Sequence, residues 1–273
     1  MKTLVFFHAH PDDECMSTGG SMARATAEGH RVVLVVATNG EHGESPDDLG
    51  PGETLVQRRH AETVRSAEVL GVQRIVWLGY QDSGMTGWDQ NSHAESFFSA
   101  PVEEAAEKLA ALLRDESAQV LVTYDWHGNY GHPDHIKVHH VGHAAAKLAG
   151  TPSVFETTMN RDAMVRMIAA ARESGGPSIP SDNPDTPDAD FDPSGPMDDG
   201  NPLGMSESEL THEVDVRAWV HRKRAAITCH ASQVTDTGFF LQMPDESFAE
   251  MFGTEWYIEV GSPPGMRPGW LLE

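Results

Sequence analysis

Apolar residues in the first 160 positions come in short unbroken runs, separated by longer stretches with helical spacing. Thr3–Phe7 and Arg31–Ala37 (RVVLVVA) carry apolar side chains at successive positions, as a strand covered on both faces requires. Arg74–Leu78, Val120–Thr123 and Val154–Thr157 are shorter runs of the same kind. Between them Ser17–Glu28, Thr54–Leu70, Val102–Arg114 and a segment from Pro133 to about Leu148 are helical in pattern. Gly29 and Gly71 stop the first two, and Pro133 suits the first position of the last. This alternation predicts an α/β fold: a Rossmann-like, mostly parallel sheet with helices on both faces. Residues 1–160 form the core in this reading, and 161–273 a smaller, irregular C-terminal part packed on it. That part includes a helix over Val216–Cys229 and a late strand over Trp256–Val260. Its Gly175–Pro202 stretch holds seven Pro, seven Asp and no Lys or Arg, which reads as a solvated loop in preference to a lid.

At 273 residues the chain buries enough surface to hold a core without a metal or disulfide. Acidic residues outnumber basic ones 42 to 19, a net charge of −23, which argues against nucleic acid or an anionic membrane as partner. Two cysteines, Cys15 and Cys229, make neither a disulfide framework nor a thiolate zinc site. The opening apolar run meets His8 too soon for a secretion signal, and no stretch approaches a membrane span. The expectation is a cytoplasmic protein with a small-molecule partner, with assembly into a homo-oligomer left open.

In an open α/β sheet the ligand site lies outside the carboxyl ends of the strands. Two clusters fall there: His8-Ala9-His10-Pro11-Asp12-Asp13-Glu14 after the first strand, and Tyr130-Gly131-His132-Pro133-Asp134-His135 after the fourth. Imidazoles and carboxylates without thiolates suit a catalytic divalent metal such as zinc. Pro11 lets His10 and Asp13 converge across a tight turn, while Pro133 sets His132 at a helix cap and His135 one turn in. Three protein ligands leave a fourth position for water, and an adjacent aspartate that is not a ligand can act as base.

The paired His-Pro-Asp-Asp-Glu and His-Pro-Asp-His motifs resemble the PIG-L/LmbE-like family of zinc-dependent N-deacetylases, which includes mycothiol deacetylases and mycothiol S-conjugate amidases. The likeness covers most of residues 1–160 and returns near His230-Ala231-Ser232-Gln233. It implies one zinc ion per chain, with Fe²⁺ or Co²⁺ as alternatives, held by His10, Asp13 and His135. It implies Asp12 as general base and His132 as oxyanion stabiliser or proton donor, its imidazole held by Asp134. Tyr130 would donate to the oxyanion. Arg59, Asp82, Met85 and Ser17 would contact an amino-sugar substrate. The sequence departs from the mycothiol members at His127 and Asn129, which stand where those proteins carry Asn and Gly.

Plainer roles compete at several positions. Strand alternation makes His8 a packed residue, and His139 reads as packed or supporting. His140 and His143 read as surface or interface positions, and Cys15 as a small packed residue at a helix start. The implied activity is removal of an N-acyl group from an amino sugar. Its rivals are an amidase cleaving a larger conjugate or an N-acylated antibiotic glycoside, and a non-catalytic sugar- or metal-binding module. A dinucleotide-binding protein is disfavoured, because the first strand–helix turn lacks G-x-G-x-x-G and carries carboxylates that repel phosphate.

Overall fold

The computed structural model describes residues 1–173, 191–233, 238 and 240–272. In chain order its elements are β1 (Thr3–His8), α1 (Asp13–Ser17), α2 (Gly19–Ala27), β2 (Arg31–Thr38), α3 (Leu55–Leu70), β3 (Arg74–Tyr80), α4 (Val102–Asp115), β4 (Val120–Tyr124), α5 (Pro133–Ala149), β5 (Ser153–Thr158), α6 (Arg161–Glu173), β6 (His212–Asp215), α7 (Val220–Cys229), α8 (Asp245–Phe252), β7 (Thr254–Glu259) and β8 (Arg267–Pro268). The strands form one sheet in the order β3-β2-β1-β4-β5-β7-β6-β8. The first five are parallel. β7 runs antiparallel to both β5 and β6, and β8 pairs parallel with β6.

Period-2 alternation sends successive strand residues to opposite faces. Val5 and Phe7 of β1 join Val33 and Val35 of β2 against α4 and α5, where Leu109, Val138 and Val141 are buried. Leu4 and Phe6 face the other way, onto Met22, Leu70, Ile227 and Phe248 from α2, α3, α7 and α8. Helix ends follow their sequence signals. Thr54 and Gln57 form a reciprocal capping box at α3, which stops at left-handed Gly71. His132 caps α5, with Pro133 as its first residue.

Three features differ from the sequence reading. The helix expected over Ser17–Glu28 is two helices, starting at Asp13 and broken at Thr18, whose φ is −134°. The Thr18 hydroxyl is engaged by His8 Nε2 at 2.9 Å and donates to the Glu14 carbonyl at 3.2 Å. The C-terminal part extends the main sheet through β7, β6 and β8, of which only the strand near Trp256 was legible. β6 (HEVD) is four residues long with Val214 as its one apolar residue, too short and polar to register as a periodic signal. The third concerns the acidic stretch. Residues 174–190 lie outside the described residues, but 191–202 fold back on the strand ends instead of standing in solvent. Asp198 N–H donates to the Tyr130 carbonyl at 3.0 Å, and the Asp198 carboxylate accepts from Thr86 N–H at 3.0 Å. No described helix is long and apolar enough to cross a membrane.

The strand order reverses between β1 and β4, since the chain moves outward from β1 through β2 and β3, then returns to the other side. That switch point opens a crevice at the strand ends. Both histidine motifs emerge there.

Candidate active site

His10, Asp13 and His135 come together at the switch point. Their facing atoms form a nearly equilateral triangle: His10 Nδ1 to Asp13 Oδ2 is 3.4 Å, His135 Nε2 to Asp13 Oδ2 is 3.4 Å, and His135 Nε2 to His10 Nδ1 is 3.3 Å. A tetrahedral ion with bonds of about 2.0–2.2 Å separates neighbouring ligand atoms by about 3.3–3.6 Å. The donor set and its spacing therefore fit a divalent metal.

The outer nitrogens of both imidazoles are also held. His135 Nδ1 lies 3.2 Å from the Gly128 carbonyl, and His10 Nε2 lies 3.2 Å from Asp134 Oδ2 and 3.5 Å from Asp82 Oδ1. Such partners orient metal-ligating histidines and fix their tautomers. Gly128 is required here: its φ is +65°, and a Cβ would sit 2.2 Å from that of His135. Burial works against charge on Asp13, but His135 and His10 hold its carboxyl well below the usual carboxylate range.

Asp134 departs from its expected role. Its carboxylate accepts from Ser83 N–H at 2.9 Å and from the Ser83 hydroxyl, and reaches His10. Only its backbone N–H meets His132, donating to Nδ1 at 3.1 Å. That bond makes Nδ1 an acceptor, so a neutral His132 carries its proton on Nε2. Burial, then the neighbouring His10 and His135, push the His132 pKa well below the ordinary histidine value. Ser83 was not singled out in the sequence, although it stands next to Asp82.

Asp12 sits beside the triangle with φ +90°, a left-handed conformation costly for a residue with a Cβ, at about 1–3 kcal/mol. Surrounding bonds hold it there. Its N–H donates to Glu14 Oε2 at 2.9 Å, and Arg59 donates to Asp12 Oδ2 at 3.1 Å, to the Pro11 carbonyl at 2.6 Å and to the Gly40 carbonyl at 2.7 Å. Burial pushes the Asp12 carboxyl up to about 6, with the Arg59 charge opposing. Arg59 was expected on the sugar; the structure places it beneath the Asp12 loop, 4% exposed. It shares one buried face of α3 with Glu62 and Ser66. Ser66 and His230 both bond Glu14 Oε1, at 2.6 and 2.7 Å, and Glu62 accepts from Ser232 N–H at 2.9 Å. The His230–Gln233 segment thus docks behind Asp12.

Tyr130 lies edge-on to His135, ring centroids 4.9 Å apart. Burial and then Asp13 and Asp12 keep its phenol protonated far above the ordinary range. The preceding Asn129 has φ +68°, in the left-handed region that Asn enters more readily than most residues. Its N–H and that of His127 are fixed by the buried Asp125 carboxylate at 3.0 and 3.1 Å. Asp82 is buried, accepts from Gly84 N–H at 2.9 Å and faces His10, whereas Met85 and Ser17 are half-buried. Ser17, one helical turn beyond Asp13, lines a cavity of about 270 Å³ together with Met16, Asn129, Met164, Phe191 and Trp256. Asn129 Oδ1 is buried there without a hydrogen-bond partner among the described residues.

His8 stands apart from the triangle, its ring nitrogens bonded to Tyr124 Oη at 2.8 Å and Thr18 Oγ1 at 2.9 Å. Burial lowers its pKa from 6.5 to about 4, with Asp13 and Glu14 opposing. The unfolded chain therefore takes up a proton between pH 6.5 and 4 that the folded chain does not. Stability falls as pH drops through that window, by at most about 3 kcal/mol. Urea denaturation at pH 7 and pH 4.5 should show this loss, and His8→Gln should lessen it; an equal loss in the variant would assign the acid sensitivity elsewhere.

The fold recurs in solved structures. An N,N'-diacetylchitobiose deacetylase from Pyrococcus horikoshii shares the fold with a TM-score of 0.57 at 21% identity, over 95% of this chain and 84% of that one. Sequence comparison is more specific. The PIG-L (GlcNAc-PI de-N-acetylase) family model matches residues 5–146. Two 1D-myo-inositol 2-acetamido-2-deoxy-alpha-D-glucopyranoside deacetylases align along nearly the whole chain. That of Thermomonospora curvata is 36% identical over 97% of this chain and 92% of its own length. That of Streptomyces avermitilis is 37% identical over 96% and 94%. The chain belongs to the PIG-L family and is a hydrolytic N-deacetylase.

Proposed function

We propose that this enzyme is zinc-dependent and removes an N-acetyl group from an amino sugar joined to a polyhydroxyl partner such as inositol. The observation that carries this reading is the triangle of His10 Nδ1, Asp13 Oδ2 and His135 Nε2, with Asp12 beside it. Those three atoms would hold the ion. The chemistry it supplies when bound is polarisation of the amide carbonyl and a lowered pKa for the attacking water.

The remaining work belongs to the chain. Asp12 accepts a proton from the water as it attacks, and Arg59 keeps its carboxylate aimed and partly ionised against burial. Charge developing on the carbonyl oxygen is met by His132 Nε2–H and the Tyr130 phenol, donors of the kind that stabilise such charge. The C–N bond then breaks and the amine leaves with the proton that Asp12 took from the water. His10 is aimed by Asp134, which Ser83 fixes. On the substrate side, Asp82 and Met85 lie toward β3, and Ser17 lies toward the cavity.

That cavity, mostly apolar and adjoining the site through Ser17 and Asn129, supports a second reading, an amidase acting on a larger conjugate. Rates on N-acetylglucosaminyl-inositol and on a conjugate with a bulky apolar acyl group separate the two. A higher kcat/KM for the N-acetyl substrate supports the first reading. A reversed preference replaces it with the second, and hydrolysis of neither by metal-loaded enzyme defeats both.

A further inference from the structure

One turn beyond His135, α5 carries a second group of ligand-type side chains that the proposed reaction does not use. His139 and His143 are four residues apart, so they share a helix face, and their rings lie 4.3 Å apart. Glu156 reaches them from β5. Its Oε1 is 3.2 Å from His139 Nδ1 and 2.7 Å from His143 Nε2. The Tyr124 carbonyl, at the end of β4, is 3.0 Å from the same His139 nitrogen. One ligand atom from each of the three side chains falls within 4.8 Å of the others.

We propose that His139, His143 and Glu156 form a second site for a divalent cation, with the Tyr124 carbonyl as an additional oxygen donor. Two imidazoles and a carboxylate are a ligand set for zinc, and also for nickel or copper. In the absence of an ion one carboxylate oxygen serves both imidazoles, an arrangement in which a cation can replace the shared protons. The entry path is open: the His143 side chain is 32% exposed, while those of His139 and Glu156 are 16% and 12% exposed. The net charge of −23 favours cation capture over the whole surface.

The placement gives the ion a structural task. It would tie α5, the helix that presents His135, to the ends of β4 and β5. The site is independent of the reaction proposed above, and its deciding readout is bound metal.

Metal-stripped full-length protein is dialysed to equilibrium against zinc alone, and bound zinc is counted per chain. His143→Ala and Glu156→Gln should each bind one ion fewer than the native chain, and His143→Ala should keep its N-deacetylation rate within about twofold. Asp13→Ala, which leaves this cluster whole, should still bind one ion. Circular dichroism establishes that each variant is folded, and His143→Ala decides alone if Glu156→Gln is not. A zinc count in folded His143→Ala equal to the native count overturns the site, as does an Asp13→Ala protein that binds no zinc. In either case the three side chains are a hydrogen-bonded triad only.

Discussion

Asp12→Asn should lower kcat by about 10²–10⁴, the range general-base catalysis contributes, while bound metal per chain stays at the native value. The substitution preserves volume and leaves Arg59 an oxygen to donate to, so the loop keeps its support at φ +90°. What it removes is the carboxylate proposed to take a proton from water. The pH profile adds a second readout. Because burial raises the Asp12 carboxyl to about 6, the native rate should climb as pH rises through that region, as the base ionises. The variant's residual rate should lack that limb. Arg59→Met, which withdraws the opposing charge, should move the limb to higher pH. Steady-state kinetics with metal analysis on the same preparations decide the matter; an Asp12→Asn enzyme of native kcat would remove Asp12 from the reaction.

Chelation should abolish turnover, and a divalent ion added back should restore it. His135→Ala should reproduce the loss irreversibly, because two ligand atoms no longer close the triangle around one ion. The outer partners should grade below this. Asp134→Ala leaves all three ligand atoms in place but removes the nearer partner of His10 Nε2, leaving Asp82 Oδ1 at 3.5 Å, and should weaken metal affinity by about 10–100-fold. Ser83→Ala removes one of the donors that fix Asp134 and should cost less than Asp134→Ala does. Metal titration of the stripped proteins gives the order directly. Full activity in metal-free native enzyme would contradict the zinc-dependent reading, and native affinity in Asp134→Ala would show that His10 is held by other means.

The parallel core was legible because β1, β2 and β4 are apolar at successive positions, a pattern dictated by burial on both faces. The two histidine motifs were legible for a related reason: each couples residue types of strong chemistry to a proline that fixes a turn or a helix start. Arg59 shows the limit. Its position in an amphipathic-looking helix could not reveal that Arg59, Glu62 and Ser66 form a polar face turned inward, because the groups that satisfy them come from residues 11–14 and 230–232. Asp134 shows it again, since the family resemblance implied His132 as its partner, and the fold gave its carboxylate to His10 and Ser83 instead.

Local chemistry along the chain therefore determined the five parallel strands, where α3, α4 and α5 start, and that two imidazoles and a carboxylate stand at the sheet's carboxyl edge. Only the tertiary structure decided that β1 and β4 lie side by side, that the three ligand atoms close to a triangle of metal dimensions, and which buried charge each neighbouring side chain answers. Strand and helix signals arise from neighbours a few residues apart. The pairing of buried polar groups depends on contacts between residues such as 12 and 59 or 14 and 230, which no local pattern encodes.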